Sequence, residues 1–318
     1  MSARALLRRS AQPALRALLR GPLRRPLESF LVMLGHRFPH RLPGRGLIAE
    51  ELLRLYAGTA VVARLWDGSR LAVPATREAF FHYVHGRAFR EDEGLTRLLA
   101  SEVREGDVFV DVGANVGYYS VLAAHAGARV HAFEAQRALI EYLIRSAALN
   151  GYEERIAVTH AALSDREDGF DDFFLTADPA LLGVPSLLPH DWLRGGTVER
   201  VPVTTLDAYA QRHDVVRIDV IKLDVEGAES LVLRGMRAVL ERCRPRLVAL
   251  EAWPETITFD SVTPGVAHRA HGAARFAECR AILAESGYAP HGIARDGTLV
   301  PMPAVVTGVA NVAFLPHL

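Results

Sequence analysis

An α/β fold on a mostly parallel sheet is what this chain of 318 residues predicts. Two observations carry that reading. Half of the residues are hydrophobic, enough to bury a full core as one large domain or one domain with an appendage. From residue 107 onward, short apolar runs of strand length alternate with stretches of helical periodicity. That alternation is the pattern of parallel strands crossed over by helices on both faces.

The chain begins with an arm, residues 1–46, in which leucines and arginines recur at helical spacing. Pro13 and Pro22 break the stripe. Residues 1–45 hold ten arginines and one acid, Glu28, so behind a formal net charge of zero the rest of the chain carries −9. A basic amphipathic segment of this kind can lie on an anionic membrane, but the broken stripe favours a solvated arm. Residues 47–105 read as a hairpin-and-helix subdomain. In "VVARLWDGSRLAV" two short strands meet at Asp67-Gly68, and "DEGLTRLLASEV" (92–103) reads as a helix stopped near Gly106.

Residues 106–318 form the main domain. Strands are expected at 107–112, 129–135, 156–163, 220–225 and 246–252, with helices at 117–126, 137–149, 204–212 and 228–242. "YAPHGIARDGTLV" and "NVAFLP" read as two further strands, too close for a helical crossover and therefore an antiparallel edge hairpin. Cys243 and Cys279 have no metal-ligand spacing and read as reduced core thiols, as in a cytoplasmic protein. No apolar run approaches the ~20 residues that span a bilayer. The core shows no basic stripe with interleaved aromatics, so nucleic acid is not an expected partner.

Ligands of such sheets bind beyond the carboxyl ends of the strands. Four of those ends carry acids: Asp111, Glu134, Asp224 and Glu251. In "DVGANVG" (111–117), Gly113 and Gly117 allow a sharp turn and a close approach to a ligand, and the helix that follows offers unpaired N–H groups. A dinucleotide site would show G-x-G-x-x-G; here the spacing is G-x-x-x-G, directly after an acid that would repel a pyrophosphate. Asp111 suits a ligand carrying an ammonium group, and Glu134 is placed to accept hydrogen bonds from ribose hydroxyls. A nucleoside with a cationic amino-acid tail, S-adenosylmethionine, fits that pattern.

The second motif is "DVIKLDVEGAESLVLRGM" (219–236). Lys222, the only lysine in the chain, shares a strand face with Asp224, and Asp224, Glu226 and Glu229 bracket Gly227. Helix capping accounts for Glu229 but gives Lys222 no reason.

The segments "VFVDVGANVGYYSVLAA", "VHAFEA", "HAALSD", "VPVTTLDAY" and "IKLDVEGAESLVLRGM…RPRLVALE" resemble, in order, the motifs of the FkbM family of class I S-adenosylmethionine-dependent methyltransferases, over roughly residues 90 to 252. The resemblance implies a Rossmann-like seven-strand sheet, S-adenosylmethionine as cofactor, and O-methylation of a hydroxyl on a natural product, sugar or lipid. Carried over, it assigns Asp111, Gly113, Asn115 and Gly117 to the methionine end of the cofactor and Glu134 to the ribose. Ala162 and Leu163 would flank the adenine, with Ser164 or Asp165 on its amino edge, and Asp224 would face the sulfonium. Two positions depart from the pattern: Ala135-Gln136 replaces the usual proline after the second-strand acid, and Ala252-Trp253 replaces a polar pair.

For chemistry, Asp224 or Glu226 is the expected base, with Lys222 balancing the local charge. No metal is expected. The alternative is metal-assisted deprotonation at Asp224, Glu226 and Glu251, whose oxygens suit magnesium or calcium. The histidine pairs His82/His85 and His268/His271 lack a third ligand. Tyr118 and Tyr119 divide between core and cofactor wall, and the loop 176–200 could reach over an acceptor pocket through Ser186 and Trp192. Two other functions compete: a non-catalytic binding module that keeps the fold and could meet a membrane through the arm, and an NAD-dependent oxidoreductase, which Asp111 and the missing middle glycine oppose.

Overall fold

The structure, a computed structural model, describes residues 60–76, 79, 82–83, 92–177, 184–189, 193, 195–253, 258–259, 270–302 and 310–317. The arm, His85, Trp192 and His268 lie outside them. The chain divides into two compact units at Glu91/Asp92. In the first, β1 (Ala60–Arg64) and β2 (Arg70–Pro74) pair antiparallel as expected. Gly68 takes φ +89° in their turn, and Ser69 N donates to Asp67 Oδ1 at 2.9 Å.

The second unit runs α1 (Glu93–Glu102), β3 (Val108–Val112), α2 (Tyr118–His125), β4 (Arg129–Glu134), α3 (Arg137–Asn150) and β5 (Ile156–His160). It continues with β6 (Ala162–Leu163), β7 (Asp168–Phe174), β8 (Val198–Thr204), α4 (Leu206–Arg212), β9 (Val220–Leu223), α5 (Glu229–Arg234), α6 (Arg237–Cys243) and β10 (Leu247–Ala252). A short pair, β11 (Thr258–Phe259) with β12 (Ala270–His271), precedes α7 (Gly272–Glu285), β13 (Tyr288–Ile293), β14 (Leu299–Pro301) and β15 (Ala310–Pro316).

The main sheet has the order β14-β13-β15-β10-β9-β3-β4-β5. Strands β10, β9, β3, β4 and β5 run parallel, and the others pair antiparallel. Because β3 has β4 on one side and β9 on the other, the strand order reverses at β3, and a crevice opens at the carboxyl end of that strand. The sheet carries eight strands where seven were expected. The extra one arises because "YAPHGIARDGTLV" is itself a hairpin: Gly297 takes φ +87° and Thr298 N bonds Asp296 Oδ1 at 3.0 Å.

Two further differences share a cause, backbone contacts that no local pattern encodes. The expected strand 156–163 leaves the main sheet after His160, and β6 joins β8 and β7 in a second, three-stranded sheet. The expected helix 228–242 breaks at Gly235, where a Cβ would stand 2.0 Å from the Ser164 carbonyl oxygen. The core lies between β3, β9 and β10 (Val110, Ile221, Leu223, Val248, Leu250) and the helices that cover them (Leu233, Leu240, Ile282, Leu283). Burial of each such side chain contributes ~1.5–3 kcal/mol.

At the amino ends of the strands the acids are neutralised. Asp107 accepts from Arg246 and its carboxyl is held below the usual range despite its burial, while Asp219 pairs with Arg217 at 2.8 Å. The opposite end differs. Both cysteines are free thiols and Cys279 is buried. No helix among the described residues is long and apolar enough to cross a membrane.

Candidate active site

The crevice is built from two turns that touch. After β3 the chain passes through Gly113 (φ +74°), Asn115 (φ +52°) and Gly117 (φ +93°) before α2 begins. After β9 it passes through Glu226 (φ +53°) and Gly227 (φ +91°) before α5. A Cβ on residue 113 would lie 1.9 Å from the Asp224 carbonyl oxygen, and one on residue 117 would lie 2.5 Å from Leu143 Cδ1. At Gly113 the second turn's backbone leaves no room for a side chain, and at Gly117 the space is taken by the end of the Leu143 side chain.

Glu134, at the end of β4, clamps the first turn. Its Oε2 accepts from Asn115 N and its Oε1 from Gln136 N, each at 2.7 Å. The carboxyl is nearly enclosed, and that burial pushes its pKa up to about 7 against the two amides, which pull it down. Each oxygen keeps a lone pair beyond its amide contact.

Asp111 lies at the end of β3, 0% exposed; its Oδ2 accepts from Ser120 Oγ at 2.6 Å, and its Oδ1 faces Lys222 across the β3–β9 register, 3.6 Å from Nζ. Lys222 itself is 2% exposed. Its ammonium stands 3.2 Å from Asp224 Oδ2, donates to Gly113 O at 3.2 Å and lies 5.2 Å from the centre of the Tyr119 ring. The lone lysine joins the two turns electrostatically, and the carboxylates around it raise its pKa although burial opposes them.

The second turn presents three carboxylates. Asp224, Glu226 and Glu251 bring oxygens within 4.8 Å of one another, and the Asp224 side chain is 40% exposed. Burial, reinforced by the charges of Asp224 and Glu229, holds Glu226 well above the usual carboxylate range; Glu251 is raised by the same causes. Glu251 Oε2 is enclosed and accepts no hydrogen bond among the described residues. Glu229 does the capping work anticipated for it: its Oε1 accepts from Val225 N and Gly227 N at 3.2 Å each, with its pKa pushed by burial to about 7.

The adenine candidates divide. Ala162 packs among Ala135, Phe173 and Val203, whereas Leu163 belongs to the main core. Ser164 is buried with its N bonded to Thr204 O, and Asp165 is held by Arg234 at 3.0 Å. Sequence reasoning missed Ser120 as the partner of Asp111, since a serine inside a helix carries no signal of what it faces. The donor set suits a cationic ligand: Glu134, Asp224, Glu226 and Glu251 stand at neighbouring strand ends. The bare Glu251 oxygen is an acceptor facing this group.

The chain is similar to known proteins. The family described as methyltransferase FkbM domain matches residues 111–290. The hexuronic acid methyltransferase AglP of Haloferax volcanii is 26% identical over 220 residues, covering 60% of this chain and 82% of that protein. Among solved structures, a SAM-dependent methyltransferase from Agrobacterium tumefaciens aligns with a TM-score of 0.43 at 13% identity, over 82% of this chain and 71% of that one. The magnesium protoporphyrin IX methyltransferase of Synechocystis, solved with bound SAH, aligns with a TM-score of 0.37 at 13% identity, over 73% and 85%.

Proposed function

The chain belongs to the methyltransferase FkbM domain family, and from that premise we propose that it methylates a hydroxyl oxygen of a sugar, lipid or natural-product acceptor. Its cofactor is S-adenosylmethionine. The observation that carries the O-methylation reading is the group of three carboxylates at the tips of β9 and β10, beside a cofactor crevice. An alcohol must lose its proton as it becomes an ether, and this group can take it.

The donor, when bound, supplies a methyl group on a cationic sulfur. The protein's own part is alignment and proton acceptance. Glu134 would accept from the ribose hydroxyls with its remaining lone pairs, while its amide contacts hold the first turn in shape. Asp224, whose Oδ2 lies 3.2 Å from the Lys222 ammonium, would face the positive sulfur. Glu226, which burial and the neighbouring acids hold well above the ordinary carboxylate range, would be the proton acceptor. Lys222 and Asp111 keep the local charge in balance.

A second reading rests on the same oxygens: Asp224, Glu226 and Glu251 could hold a hard divalent cation such as magnesium or calcium. Exhaustive chelation separates the two. The activity itself is tested by transfer of labelled methyl from S-adenosylmethionine into extract of the host. The proposal requires label that survives mild base, as an ether does and an ester does not. Calorimetry supplies the control, with heat on adding S-adenosylmethionine and none on adding NAD.

A further inference from the structure

Glu226 occupies the left-handed region at φ +53°, and Gly227 follows at φ +91°. Left-handed backbone is costly for a residue with a side chain, roughly 1–2 kcal/mol, so neighbouring groups must hold it there. On the amide side, Glu229 accepts from Val225 N and Gly227 N. On the carbonyl side the holder comes from a distant segment. Ser186 Oγ donates to Glu226 O at 2.9 Å and stands 3.4 Å from Val225 O.

Ser186 is fixed independently of the turn it touches. Phe174 N donates to Ser186 O at 2.8 Å and Ser186 N to Phe174 O at 3.2 Å, an isolated bridge that ties it to the end of β7. Its hydroxyl accepts from Leu188 N at 3.1 Å, which leaves its single proton for the carbonyl opposite. The residue is 1% exposed. A buried hydroxyl with every bond directed is a rigid peg, and this one stands on the backbone of the proposed base.

We propose that Ser186 is a positioning residue for methyl transfer: its hydroxyl pins the Glu226 carbonyl, holds that residue in its left-handed conformation, and so aims its carboxylate toward Asp224 and Glu251. The proposal rests on the reading of Glu226 as the proton acceptor. It also gives the connection between β7 and β8 a hold on the chemistry, since Ser186 lies within that connection. Movement of the segment would be felt at the base through one hydrogen bond. With the peg removed, Glu226 relaxes toward ordinary backbone, and its carboxylate leaves the company of the two other acids.

The test compares S186A, S186T and E226Q in the full chain by two readouts. The first is the rate of labelled methyl transfer into host extract at saturating S-adenosylmethionine. The second is the affinity for S-adenosylmethionine, by calorimetry. S186A is expected to slow transfer on the order of tenfold to hundredfold. Its affinity for S-adenosylmethionine should change less than about threefold, because the first turn is untouched. S186T, which keeps the hydroxyl, should restore the rate.

An unchanged rate in S186A would overturn the proposal. So would equal loss in S186A and S186T when both melt with the wild type, because the hydroxyl would then not be the cause. Should S186A fail to fold, S186C, which keeps the size but donates weakly, is read in its place against the same criteria. Full activity in E226Q would sink the base assignment itself, whereas loss in E226Q beside a normal S186A would sink only the role of Ser186.

Discussion

Lys222 and Asp111 face one another across β9 and β3, both enclosed, with Nζ 3.6 Å from Oδ1. The same ammonium reaches Asp224 Oδ2 at 3.2 Å, so one cation answers two carboxylates on adjacent strands. Removing one partner of a buried pair leaves an uncompensated charge, which costs about 3–5 kcal/mol. K222M is therefore expected to lose about that much stability in urea unfolding, and the double variant K222M/D111N should recover part of it. Equal stability of K222M and wild type would show that the pair is not coupled as the geometry implies.

Gly113 is required by the approach of the second turn. G113A adds a Cβ 1.9 Å from the Asp224 carbonyl at φ +74°, so strain and overpacking together should cost about 3 kcal/mol or more and abolish S-adenosylmethionine binding. Gly151 provides the control. It has φ +70° but nothing within 4 Å of its missing Cβ, so G151A should cost only about 1 kcal/mol. Comparable losses in the two variants would refute the contact argument.

Stability should depend on pH in a direction set by Glu134 and Glu229. Both carboxyls have native pKa values of about 7, above the ordinary 4.5 of an unfolded glutamate. The native state therefore holds protons that the unfolded chain has released. The stabilisation is complete below about 4.5 and is lost as pH rises through about 7. Melting temperature of the ligand-free protein should fall across that window, and E134Q should flatten part of the fall. A rise over the same range would contradict the assignment.

Chelation decides between proton acceptance by a carboxylate and a metal. With Glu226 as acceptor, methyl transfer should survive prolonged dialysis against EDTA without loss. Activity lost on dialysis and restored by magnesium would transfer the chemistry to the second reading.

What the sequence alone could reveal follows the range of its signals. Alternating strands and helices, the two glycine turns and the acids at strand ends are local patterns, and the structure has them. Lys222 stood out as the only lysine, yet its partnership with Asp111 depends on a register between strands 111 residues apart, which no spacing rule reports. Glu134 was read as a ribose acceptor, while its contact with Asn115 N needs the folded turn. The break at Gly235 comes from the Ser164 carbonyl, and the β7–β8 pair formed where proline and glycine masked the strand pattern.

The most direct test is turnover by E226Q and D224N with labelled S-adenosylmethionine, measured beside donor affinity for each. The account predicts that E226Q falls about 10²–10⁴-fold in turnover while its affinity for the donor stays within about threefold. Wild-type turnover in E226Q would contradict it.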